Sequence, residues 1–219
     1  MQLNLETKGI YLKMEKDIST EEKIKNAARK VFHEKGYGQA RTRDIAEEAG
    51  INLALLNYYF RSKEKLFDII MKESLQEMFG LIVNIVNAED INLSDKIDMI
   101  VTRYIDSLSK NPNLPLFVLS EIQANPHKII EKMGLKGKSI AHNFLFKQIQ
   151  EQIDRKGIKG VTPLQIFINI VSMSIFPIVG KPLLMNLHAP FSEKEYEIFI
   201  EERKLLIPQW IKIMLKIDE

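Results

Sequence analysis

The residues with the clearest chemical pattern lie between Thr42 and Phe60, in the run TRDIAEEAGINLALLNYYF. Apolar positions at helical spacing on either side of Gly50-Ile51-Asn52 predict two short helices, about 43–49 and 53–60, joined by a tight turn. Thr42 and Asn52 are good N-caps for them, and Gly50 stops the first. Ala46 is small enough for a close helix crossing, Ile51 plugs the corner, and Leu56 and Phe60 turn inward. This is the helix-turn-helix pattern, whose second helix can enter a DNA groove. Its outward side carries Leu53, Ala54, Asn57 and Tyr58, an apolar share that is mildly costly in water unless something docks there.

Other chemistry lacks its residues. His33, His127, His142 and His188 are scattered, none pairs with another at ligand spacing, and none accompanies an activated nucleophile. The absence of Cys excludes disulfides, a thiolate nucleophile, an iron–sulfur cluster and a cysteine-ligated zinc site. Asp44, Glu47 and Glu48, at i, i+3 and i+4, read as a solvated face turned away from DNA. No catalytic residue, metal or cofactor is expected, and the chain is not expected to be an enzyme.

The elements that must position the 42–60 segment are helical throughout, because apolar residues recur at helical spacing and no sustained alternation appears. The chain has 219 residues, 45% of them hydrophobic, enough for a large domain or two small ones. Ser19 and Glu22 open a first helix whose stripe is Ile24, Ala27, Ala28, Val31 and Phe32, ended by Gly36 and Gly38. Ser62 caps a long fourth helix carrying Leu66, Ile69, Ile70, Met78, Ile82, Ile85 and Val86. Further helices are expected near 94–110, 115–124, 126–133, 138–156, 163–179 and 192–216, with Pro177 and Pro208 kinking or interrupting theirs. Residues 1–17 read as a flexible lead, with Met14 an alternative start, 18–65 as the helix-turn-helix domain and 66–219 as a helical remainder coupled to it through the fourth helix. No secretory signal is evident, and IFINIVSMSIFPIV (166–179) is too short and too interrupted to span a membrane. A soluble, cytoplasmic protein is expected.

The first helix, the 42–60 run and the following RSKEKLF resemble the N-terminal domain of the tetracycline-repressor (TetR) family of bacterial transcription regulators. The resemblance rests on Thr42, Ile45-Ala46, Gly50-Ile51, Tyr58-Tyr59-Phe60 and Ser62-Lys63-Glu64, and covers about residues 18–68. It implies an all-α homodimer with an N-terminal three-helix DNA-binding domain and a C-terminal helical ligand-binding and dimerisation domain. It also implies that the protein represses transcription from a palindromic operator on double-stranded DNA and is released by a small, partly hydrophobic effector. By the same resemblance Thr42 and Tyr59 bind phosphate, Lys63 adds charge at the backbone, Arg43 reaches phosphate or a base, and Asn52, Leu53, Ala54, Leu55, Asn57 and Tyr58 face the groove or its rim.

The third helix has no Arg or Lys, so arginine-to-guanine contact is unavailable from it. Asn57 can bond bidentately to adenine, and Leu53, Ala54 and Leu55 can pack on thymine methyls, which predicts an A·T-leaning half-site core. About three phosphate contacts per subunit would give a dimer a log–log salt slope of roughly −5. In the remainder, Met99, Phe117, His142, Phe144, Asn169, Met173 and Phe176 are candidate pocket residues. Phe167, Ile170, Val171 and Ser174 form one candidate dimer stripe, and Phe199, Arg203, Leu206 and Trp210 another. The alternative is an all-helical protein-interaction module with a purely structural helix-turn-helix, for which Asn57→Ala and Lys63→Ala would change nothing at DNA. The net charge of +2 decides neither way, because Arg41, Arg43, Arg61, Lys63 and Lys65 can form a local positive rim within a near-neutral total.

Overall fold

The structure is a computed structural model describing residues 5–132, 143–187 and 191–217, with side chains from Thr20 onward except Leu81. Among these residues every regular element is a helix. The chain divides into two compact units, Met1–Glu73 and Ser74–Glu219.

The first unit holds α1 (Leu5–Gln39), α2 (Thr42–Glu48), α3 (Leu53–Phe60) and the start of α4 (Lys63–Asn87). The helix expected to open at Ser19 begins instead at Leu5, because the preceding Leu, Lys, Met and Glu residues are themselves good helix formers. It leaves helical geometry at Gly36, whose φ of 68° a side chain would disfavour. Ile24, Ala28, Val31 and Phe32 are buried with Ile45, Ala46, Leu56, Phe60, Leu66 and Phe67. Phe32 meets Phe67 edge-on at 5.1 Å, and Tyr37 approaches Phe67 at 4.6 Å. Each fully buried aromatic or aliphatic side chain in this cluster contributes about 1.5–3 kcal/mol.

The second unit continues α4 and adds α5 (Leu93–Lys110), α6 (Leu114–Ala124), α7 (Pro126–Lys132), α8 (Phe144–Lys156), α9 (Pro163–Val179), α10 (Lys181–Leu187) and α11 (Glu193–Met214). Side-chain oxygens of Asn92, Asn143, Thr162 and Ser192 accept from backbone N–H groups and so start α5, α8, α9 and α11. α5 packs against α8, α9 and α11, burying Ile97, Ile100, Val101, Tyr104, Ile105 and Leu108. Lys96 is also buried, its Nζ donating to the Ala88 carbonyl at 2.6 Å and lying 4.6 Å from the Phe144 ring centre.

Both α9 and α11 run on through their prolines. Pro177 has no N–H, so the carbonyl of Met173 lacks its usual helical donor. Arg203 of α11 fills the gap, donating from Nη2 to that carbonyl at 2.9 Å, and the Tyr196 hydroxyl donates to the Pro177 carbonyl at 3.1 Å. The break comes at Gly180, where α10, a helix the sequence pattern missed, turns 69° from α9. Among the described residues no single helix is long and apolar enough to cross a membrane, although the bent α9–α10 pair passes by length and composition together.

Candidate nucleic-acid interface

The turn between α2 and α3 is closed from both sides. Gly50 adopts φ 64°, which lets its own N–H reach the Glu47 carbonyl at 3.0 Å and the Ile51 N–H reach the Ala46 carbonyl at 2.9 Å. Asn52 then starts α3, its side chain accepting from the Leu55 N–H at 2.8 Å. Leu56 and Phe60 are buried, which turns Asn52, Ala54, Asn57 and Tyr58 to solvent, with Leu53, Leu55 and Tyr59 half-buried beside them. Tyr58 is 78% exposed, an unusual position for a large aromatic with no partner surface.

Thr42 is not the N-cap of α2. That position belongs to Arg41, whose backbone N–H donates to the Asp44 carboxylate at 3.2 Å, and Thr42 follows as the first helical residue. Thr42 therefore sits beside the unpaired N–H groups of the helix start, where an anion is favoured. Arg43 is exposed next to it. Two of the three acidic residues of α2 are paired, and Glu47 is exposed. Lys35 donates to Asp44 at 3.0 Å and Lys30 to Glu48 at 2.8 Å. The Lys35 ammonium, together with the Arg41 N–H, holds the Asp44 carboxyl below its usual range.

Other cations of this unit are also engaged. Glu73 accepts from Lys25 at 3.0 Å and from Arg29 at 2.7 Å. Lys63 donates to the carbonyls of Tyr37 at 2.9 Å and Ala40 at 3.0 Å, with its ammonium 4.1 Å from the Tyr37 ring centre. Those bonds fasten the end of α1 to the start of α4, a structural duty that the residue pattern did not disclose.

Burial, reinforced by the Arg29 charge, pushes the His33 imidazole down from 6.5 to about 4. The unfolded chain binds this proton more readily, so the contribution to stability is complete above pH 6.5 and is lost as pH falls through about 4. Thermal unfolding followed against pH is expected to show a steeper loss over that window in the natural protein than in His33→Gln. Asp44 acts in the same direction, but only below its ordinary value of 3.8.

The sequence of residues 24–70 matches the family described as bacterial regulatory proteins, tetR family. Over 208 residues the chain is 26% identical to the "Probable HTH-type transcriptional regulator YttP" of Bacillus subtilis, covering 91% of this chain and 95% of that protein. Residues 24–70 thus carry the N-terminal domain typical of that family. The chain is a DNA-binding transcription regulator of all-helical fold. It is also 24% identical over 138 residues to the fatty acid metabolism regulator protein of B. subtilis, covering 62% of this chain and 71% of that one. The solved fatty acid degradation regulator FadR from Bacillus halodurans shares the fold at a TM-score of 0.56 and 18% identity, over 85% of this chain and 93% of that one.

In the second unit, Phe117 is buried and Met99, Phe144, Asn169 and Met173 are half-buried. Asn169 Nδ2 lies 3.8 Å from the Met214 sulfur. His142 lies outside the described residues. Phe176 is 58% exposed and belongs to an outer face, not to an interior pocket. Clefts in this unit are lined by other residues. One of 550 Å³ is bounded by Asn143, Phe146, Lys147 and Pro163, and one of 280 Å³ by Ser109, Ile178, Lys181 and Tyr196.

Both expected dimer stripes hold residues that the structure places inside the subunit. Ile170 and Ser174 are each 1% exposed, with the Ser174 hydroxyl donating to the Ile170 carbonyl at 2.7 Å, so both are interior. Arg203 is committed inside the subunit by its bond to Met173 and by Phe199 and Trp210, whose ring centres lie 5.5 and 5.6 Å from its guanidinium. Phe167 and Val171 are half-buried, whereas Leu206 and Trp210 are exposed. The open apolar surface instead runs through Leu164, Ile168 and Phe176 on α9 and Ile198, Leu205, Leu206, Trp210 and Ile213 on α11.

Proposed function

We propose that the protein is a homodimeric repressor that acts in the cytoplasm. In it, α3 of each subunit reads one half of a palindromic operator and residues 66–219 bind the effector and the second subunit. The carrying observation is the outward side of α3, where Asn57 and the 78% exposed Tyr58 stand on a helix fixed from beneath by Leu56 and Phe60. Thr42, Arg43, Asn52, Leu53, Ala54, Leu55, Tyr59 and Lys63 complete the contact set, Lys63 through the start of α4 that it anchors. The two recognition helices would then lie about 34–36 Å apart on successive major grooves. α4, one continuous helix from Lys63 to Asn87, couples effector to operator, and a coupling of about 1–3 kcal/mol changes operator affinity roughly 5–150-fold.

The effector is a small molecule with a long apolar part, of the fatty-acyl kind. Support comes from the regulators of fatty acid metabolism and degradation among the similar proteins. The effector's candidate contacts are the apolar Met99, Phe117, Phe144 and Met173, with Asn169 as a polar anchor. Thermal unfolding with a chain-length series of fatty acids and their coenzyme A thioesters tests this. A ligand present at about 100 times its Kd stabilises by about 2.7 kcal/mol. The expected result is a rise in Tm for one class together with release of DNA in a gel-shift, and no rise across the whole series would contradict it.

A further inference from the structure

We propose that Arg61, in the turn after α3, is a DNA-backbone contact, joining Arg43 and Lys65 as a phosphate-binding cation of each subunit. The inference rests on the DNA-reading function proposed above. Its first support is the sorting of charges in the reading head. Lys25, Arg29, Lys30, Lys35 and Lys63 all have carboxylate or carbonyl partners, as described, and Arg41 lies beside Asp44. Among the described residues, the side chains of Arg43, Arg61 and Lys65 make no hydrogen bond or ion pair, and all three are exposed. A cation paired with a carboxylate is already partly neutralised, whereas an unpaired one displaces a condensed counterion at full effect.

The second support is the backbone. Arg61 has φ 56° and ψ −38°, and the Ser62 N–H donates to the Phe60 carbonyl at 2.5 Å across it. That is a γ-turn with a positive central φ, a strained arrangement that glycine adopts at least cost. A residue with a long charged side chain occupies it, and among the described residues that side chain makes no hydrogen bond or ion pair. Position supplies the third support. The Arg61 N–H donates to the Asn57 carbonyl at 2.9 Å, so Arg61 stands one helical turn beyond Asn57 and continues the line Leu53, Asn57. The strained turn thus sets a guanidinium at the end of the reading face, where a phosphate flanking the groove is the matching partner.

The test uses the full-length protein, with duplexes that the protein recovers from a randomised pool and an unrelated duplex of equal length. Arg61→Gly is expected to weaken binding to both by about tenfold and to make the log–log salt slope shallower by about 2 for the dimer. Its Tm should stay level or rise, since glycine relieves the turn, and Arg61→Lys should restore the slope. Arg61→Gly with natural affinity and slope would overturn the assignment. So would weakened binding at an unchanged slope, which would place the effect in the turn's conformation. If the natural protein recovers no duplex at all, the DNA-reading function itself fails and this inference with it.

Discussion

Leu205→Glu is expected to leave the fold intact, make the protein monomeric and lower its affinity for a full palindrome by about 10²–10⁴-fold. Leu205 is 68% exposed on α11, close in sequence to Ile213 at 72%, so a carboxylate there remains hydrated in the isolated subunit. Surface changes of this kind normally shift stability by within about 0.5 kcal/mol. Across a dimer contact the same carboxylate would be buried against apolar side chains without a cation, which costs several kcal/mol. Losing the second subunit converts a tethered second half-site contact into an independent one, which is the source of the large affinity change. Light scattering and a gel-shift on the same sample check both halves of the expectation. A monomer that keeps full affinity would contradict the dimeric reading, and an unchanged dimer would move the contact away from the exposed surface of α9 and α11.

Asn57→Ala should act at a different level. Asn57 is exposed, one turn from the start of the α3 reading face, and it is a side chain that can pair bidentately with adenine. Removing it should cost about 1–3 kcal/mol of discrimination at one base pair of each half-site while leaving binding to unrelated duplexes unchanged. Tm should hold or rise, because Ala is the better helix former and Asn57 makes no side-chain bond within the described residues. Affinity for a matched operator and for one altered at that base pair, measured side by side, gives the comparison. An equal loss on matched, altered and unrelated DNA would assign Asn57 to the backbone instead of the bases.

The sequence made some features legible and concealed others for physical reasons. α3 was readable to the residue because Asn52 supplies an N-cap bond and the apolar run ends at Phe60 beside a turn. The inward turn of Leu56 and Phe60 followed from their i, i+4 spacing. α9 was not readable in the same way, since IFINIVSMSIFPIV has apolar residues all around the helix and its period cannot say which side is covered. Ile170 and Ser174 turned inward, and Ile168 and Phe176 outward. α10 was hidden because Gly180 and Pro182 look like loop punctuation, yet a proline near the start of a helix costs no hydrogen bond. Lys63 shows the remaining limit. A lysine in a basic stretch looks available to phosphate, and only the folded positions of the Tyr37 and Ala40 carbonyls reveal that it also fastens α1 to α4.

Selection of binding sites from a fully randomised duplex pool tests the central claim most directly, because it asks at once whether the protein reads DNA, as a dimer, and through α3. The expected consensus is an inverted repeat whose half-sites lie about one helical turn or a multiple apart, with A·T pairs at the core of each half. Recovery of no consensus, of a single unrepeated site, or of G·C pairs at the half-site core would contradict it.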